Sequence, residues 1–223
     1  MAGWLEYLAA FAAFFLSHSL PVRPPVKAWL QARLGRGGFG LAYGALSLGV
    51  LGWLIVAAER APFVPLWTWA PWQNLVPLAV MLPVCLIVAL SLAHPNPLSF
   101  GGAGNHRFDP ARPGLVRLTR HPPLLALGLW AGAHVVPNGD LAHVALFGTF
   151  ALFAFLGMRL MDRRKRREMG VARWQHLARA VAAQPWRAVM RIPAGGWRVA
   201  AGGALYGALI WLHPLILGVS PLP

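Results

Sequence analysis

Eight histidines, at 18, 94, 106, 121, 134, 143, 176 and 213, are the residues whose type and placing could do chemistry in this chain. Several fall inside or at the rim of long apolar runs, where an ionisable group is costly and normally faces a bundle interior with a partner. Carboxylates to act as partners are scarce: there are six, with Glu6 and Asp140 near the ends of apolar runs and none in the middle of one. Paired-carboxylate acid–base catalysis is therefore not expected. Neither is a Ser-His-Asp array, nor a phosphate cradle, because Gly101-Gly102-Ala103-Gly104 follows no strand pattern. Neutral imidazole without a carboxylate is a good axial ligand for haem iron, and helix bundles hold haem between facing helices. For any one histidine the plainer reading is a side chain bonded to a backbone carbonyl or a serine, but recurrence across several runs favours the ligand. Cys85 is the only cysteine, which excludes an intrachain disulfide and a thiolate cluster. Redox chemistry would need a cofactor.

The elements that must position these groups follow from composition. Of 223 residues 57% are apolar and 12% charged, with a mean hydropathy of +0.55; a soluble domain carries roughly 25% charged residues. The net charge of +14 suggests nucleic acid or an anionic membrane as partner. The bases lie between long uncharged runs and not on one face with stacking platforms, so nucleic acid is excluded and membrane lipid is expected. Runs nearly free of charge, about as long as a bilayer-crossing helix of roughly 20 residues, occupy 3–20, 39–58, 75–93, 121–137, 141–158 and 199–217. The expected fold is an all-α polytopic transmembrane bundle of about six helices, one domain over 1–223, with an amphipathic, basic cytoplasmic segment.

The first run lacks a basic n-region and a small-residue cleavage site, so it is expected to stay as a helix and not to be removed as a signal peptide. Trp67, Trp69 and Trp72 among Pro62, Pro65 and Pro71 suit an irregular segment at lipid headgroups. Pro137-Asn138-Gly139-Asp140 reads as a tight helical hairpin in which Asn-Gly supplies positive φ and Asp140 caps the next helix. Bases fall in alternate loops: Arg23, Lys27, Arg33 and Arg36, then Arg60 alone, then Arg107, Arg112, Arg117 and Arg120, then none, then eleven from Arg159 to Arg198. By the positive-inside rule this asymmetry puts both termini in the periplasm of a bacterial inner membrane. The run Asp162-Arg163-Arg164-Lys165-Arg166-Arg167-Glu168 continues a helix out of the membrane as a headgroup anchor.

At about 1.5 Å per residue, His18 and His121 come out near the cytoplasmic face and His134 and His213 near the outer one. Straight helices would pair His18 with His121 and His134 with His213.

Ser17-His18-Ser19 followed by Pro21-Val22-Arg23-Pro24-Pro25, Arg117-Leu118-Thr119-Arg120-His121-Pro122, Trp130 to His134, Asn138-Gly139-Asp140 and Asp162-Arg163-Arg164 together resemble the NnrU family of bacterial membrane proteins. The resemblance runs over about 4–190, and His213-Pro214 extends it weakly. The family is named for nitrite and nitric oxide reductase metabolism in denitrifiers and includes the 15-cis-zeta-carotene isomerase, a haem b protein with two axial histidines. The resemblance implies haem b here, with His18 and His134 as axial ligands; the depth estimate sets those two near opposite faces and names His121 and His213 as substitutes. It also implies support of nitric oxide or nitrite reduction with a reductase partner, or a redox-controlled isomerase-like reaction on an apolar small molecule. The isomerase has a cysteine three residues before its second ligand, where this chain has Ala131.

Arg120-His121-Pro122 after Gly114-Leu115, then a hairpin, then a basic helix with Gly170, Trp174 and Gln184-Pro185-Trp186, is also similar to the C-terminal half of isoprenylcysteine and phospholipid methyltransferases. That resemblance implies S-adenosylmethionine bound at Arg120 and His121. Those enzymes carry a Glu-rich helix start after the hairpin, where this chain has Arg159, Arg163 and Arg164. A third reading is a non-enzymatic accessory of a reductase.

Overall fold

The computed structural model describes residues 2–190 and 195–223; Met1 of the n-region and Arg191 of the basic region lie outside them. The described residues form seven α-helices: α1 (Ala2–Ser19), α2 (Pro24–Arg60), α3 (Leu75–Ser91), α4 (Pro122–Val135), α5 (Leu141–Met169), α6 (Val171–Ala182) and α7 (Gly195–Leu217). Among them there is no strand, only an isolated bridge between Pro65 and Asp140. Each expected apolar run falls on a helix, and those at 3–20, 75–93 and 121–137 overrun its ends by one or two residues. Four helical segments, Pro24–Arg60, Pro71–Ser91, Leu141–Met169 and Gly195–Leu217, are long and apolar enough to cross a membrane. α4 has 14 residues, about 21 Å at the helical rise, shorter than a typical hydrocarbon core.

Contacts group the chain into two compact units. The first comprises Met1–Trp67 and Asp140–Leu146. Its basic stretch after α1, expected as a loop, is already helical from Pro24, because a proline at the first helical position has the right φ and no N–H to lose. The break comes later, at Gly35 (φ 70°) inside α2. Tyr7 is buried and donates its hydroxyl to Ala142 O. Glu6 accepts from Arg60 Nη1 at 3.4 Å and Trp53 Nε1 at 3.3 Å. Asp140 caps α5 as expected, one carboxylate oxygen accepting the Ala142 and His143 amides at 3.1 and 3.2 Å. The hairpin differs in one respect: neither Asn138 nor Gly139 has positive φ. Asn138 instead donates its side-chain amide to His134 O at 2.7 Å, closing the end of α4.

The second unit comprises Thr68–Gly139 and Phe147–Pro223. α3 and α7 meet where Gly202 lies against Leu86; a Cβ there would sit 2.9 Å from Leu86 Cδ2. Arg198 Nη1 donates to the carbonyls of Ala89 and Leu92, both at 2.8 Å, supplying donors and positive charge to the end of α3, whose last carbonyls have no intrahelical partner. Val84 and Ile87 of α3 pack with Ala126 of α4, with Leu129 and Trp130 beside them. α6 is amphipathic: Trp174, Leu177, Ala178 and Val181, at helical spacing, cover Leu98 and Val116. α5 continues past its apolar part, which ends near residue 158, into the basic stretch 159–169.

Candidate functional site

Two arrangements carry chemistry. The first is built around the α3–α4 connection. Asn96 is buried and shapes it, its amide group donating to Arg120 O at 2.9 Å while its Oδ1 accepts from the Leu98 amide at 3.1 Å. Gly102 allows the close turn, since a Cβ there would lie 2.7 Å from Asn105 Oδ1 and 2.9 Å from Asn96 N. The result brings Ser99 beneath the start of α4. His121, 2% exposed, faces Ser99 Oγ with Nδ1 at 3.0 Å and Asp162 Oδ1 with Nε2 at 3.0 Å. Arg120 grips the same carboxylate with both arms, Nε to Oδ1 at 3.0 Å and Nη2 to Oδ2 at 2.6 Å.

Ionised Asp162 accepts only, so the Nε2 proton belongs on His121, and Ser99 donates to Nδ1. Burial by itself would raise the Asp162 carboxyl. The hydrogen bond and charge of Arg120, followed by those of His121, outweigh it and hold the group below the ordinary aspartate value. Ser99, His121 and Asp162 therefore form the hydrogen-bonded series that sequence reasoning did not expect. The correction has a plain cause: the partners are separated by 22 and 41 positions, and Asp162 sits in a run of bases that reads as a solvated anchor. Ser99 is itself 2% exposed, so the series acts as a brace between the connection and α5, with no open face for a substrate at Oγ.

The second arrangement is a repeated way of holding a histidine. His134 of α4 donates Nδ1–H to Trp130 O at 2.7 Å, and in the first unit His18 of α1 donates Nδ1–H to Phe14 O at 2.8 Å. Each carbonyl lies four residues earlier. A backbone acceptor at Nδ1 fixes the tautomer and leaves the Nε2 lone pair for a metal. Among the described residues neither Nε2 has a hydrogen-bond partner. The ring of His134 lies against Trp130 and Phe147, with centroids at 5.5 and 5.3 Å. His213 of α7 repeats the anchoring with Val219 O at 2.8 Å and lies within electrostatic reach of His134. His121, with both nitrogens engaged, does not fit the ligand role as it stands.

The remaining histidines are placed simply. His143 Nδ1 meets Asp140 Oδ2 at 2.7 Å, His94 Nδ1 meets Pro95 O at 3.2 Å, and His176 lines a shallow groove of about 520 Å³ along α6. Among the described residues no group of three or more His, Cys, Asp and Glu is set to hold a metal ion.

The family model described as NnrU protein matches residues 6–221, nearly the whole chain. No curated protein and no solved structure matches it.

Proposed function

The chain belongs to the NnrU family, and from that premise we propose that it is a haem b-binding membrane protein in which His134 supplies one axial imidazole. The observation that carries this reading is the Nδ1–H bond from His134 to Trp130 O at 2.7 Å, which presents a bare Nε2 beside aromatic rings. Trp130 and Phe147 would exclude water from that nitrogen, and α4 would set its depth. His18, by resemblance, and His213, by its like anchoring, are the two imidazoles to complete the pair. Haem, when bound, supplies one-electron redox chemistry and an iron able to polarise a substrate.

The role proposed is support of nitric oxide or nitrite reduction beside a reductase partner in a bacterial inner membrane. The charge asymmetry of the loops supports periplasmic termini and a basic cytoplasmic face. Six crossings are part of the proposal, α1 and α4 being added to the four longer helices. An isomerase-like reaction on an apolar molecule is the second reading, supported by family membership alone. The methyltransferase-like alternative gains nothing from the geometry, because His121 spends both ring nitrogens on Ser99 and Asp162 and Arg120 gives Nε and Nη2 to Asp162.

Absorption spectra of the detergent-purified protein, oxidised and dithionite-reduced, test this. The expected result is a Soret band that is lost in His134→Ala and weakened in whichever of His18→Ala and His213→Ala removes the second ligand. A protein that remains free of haem after expression with ample haem supply, or a band indifferent to His134→Ala, overturns the proposal.

A further inference from the structure

We propose that Arg120, Arg166 and the indole N–H of Trp174 form a binding site for a phosphate group, independent of any haem. Trp174 is 6% exposed, and its Nε1 is buried with no hydrogen-bond partner among the described residues. Nearly every buried donor in a folded protein is satisfied by protein, water or ligand. This one belongs to a ring with two guanidinium groups near its centre, a setting in which an anionic acceptor would answer both the donor and the charge.

Both cations sit on that same indole: the Arg166 guanidinium carbon lies 4.1 Å from its ring centroid and that of Arg120 5.5 Å. Guanidinium stacks well on an aromatic face, but two like charges on one ring repel. The nearby carboxylates do not balance both. Asp162 is gripped by Arg120 and His121, and Glu168 is taken by Arg164 at 2.6 Å and Lys165 at 2.9 Å. Arg120 has given Nε and Nη2 to Asp162, which leaves Nη1 as a donor, and Arg166 has its whole fork.

A tetrahedral oxyanion with several acceptor oxygens suits two forks and an N–H better than a single carboxylate does. Arg166 is exposed and covers the indole, so its side chain is the one that swings to admit the group. The phosphate could be carried by a lipid headgroup or be free in solution. From residue 169 to the end of the chain there is no acid at all, so either source meets an uncompensated positive field.

The test uses the full chain in detergent, titrated with inorganic phosphate and with short-chain phosphatidylglycerol, reading the rise in melting temperature by mass action. Trp174→Phe keeps the ring and removes only the N–H; Arg166→Gln removes the stacked cation. Arg167→Gln is the charge-matched control on the same helix. About a ten-fold loss of affinity in Arg166→Gln, a several-fold loss in Trp174→Phe and less than about two-fold in Arg167→Gln are expected. Response to both probes assigns the site to phosphate itself; response to the lipid alone assigns it to a headgroup. If Arg167→Gln weakens binding as much as Arg166→Gln, the attraction is a diffuse field and the site is overturned. Binding of neither probe overturns it as well. Should Trp174→Phe misfold, the contrast between Arg166→Gln and Arg167→Gln still decides.

Discussion

His121 Nε2 and Asp162 Oδ1 stand 3.0 Å apart, joining the residue just before α4 to the point where α5 turns from apolar to basic. Asp162 also balances Arg120, so one carboxylate serves two side chains that adjoin in sequence. It is 13% exposed, and Arg120 is 43% exposed.

Replacing Asp162 by Asn leaves His121 a weaker acceptor and Arg120 without its counter-charge. Hydrogen bonds to charged groups contribute about 1.5–3 kcal/mol, and the exposure of Arg120 puts the expected loss near the lower end. A melting temperature in detergent several degrees below wild type is the expected outcome. An unchanged melt would show that the brace does not hold the fold.

The same group gives a pH dependence with a defined sign. Its folded pKa is depressed, so its stabilisation is present above the unfolded aspartate value of about 3.9 and is lost as pH falls through the lower folded value. His121 titrates against the same carboxylate, so the comparison is made in a His121→Gln background, where the stability gap between Asp162 and Asp162→Asn is expected to be constant from neutral pH down to about 4 and to close below it. A gap that widens on acidification would contradict the assignment.

Gly202 of α7 lies tight against α3, where a Cβ would come within 3.1 Å of Leu86 Cα. Gly202→Leu forces the two helices apart, and overpacking of this kind costs about 1–3 kcal/mol. Protease sensitivity of the α3–α7 region should rise. Gly203→Leu, where a Cβ meets nothing within 4 Å, should leave it unchanged.

Asp140→Ala removes both cap bonds at the start of α5 at a cost of about 1 kcal/mol, and Asp140→Ser should recover most of it. Amide hydrogen exchange over residues 141–144 reads this directly, with faster exchange expected in the alanine variant only.

Helices were legible because length and lack of charge specify them: the runs 75–93 and 199–217 reappear as α3 and α7, with ends shifted by a few residues at most. Asp140 was legible because a cap is local. Gly35 was hidden, since a glycine among several in a mixed stretch does not announce which one takes positive φ. The pairing of His121 with Asp162 was hidden for another reason. It depends on how far α5 extends past its apolar part and on its facing at that point, which no local pattern encodes. The anchored imidazoles of His18 and His134 lay between these cases: their presence in apolar runs was visible, while the carbonyl that orients each ring follows only once the helix is drawn.

Gly170, with φ 86°, is the only residue between α5 and α6, so the two helices are joined in fixed phase. Inserting one residue there would rotate α6 by about 100° and carry Trp174, Leu177 and Val181 away from Leu98 and Val116. Substitutions in 163–168 leave that phase intact. The fold should thus tolerate changes of residue throughout its most basic stretch, Arg166 being required by the phosphate site and not by packing, while rejecting changes of length at this joint.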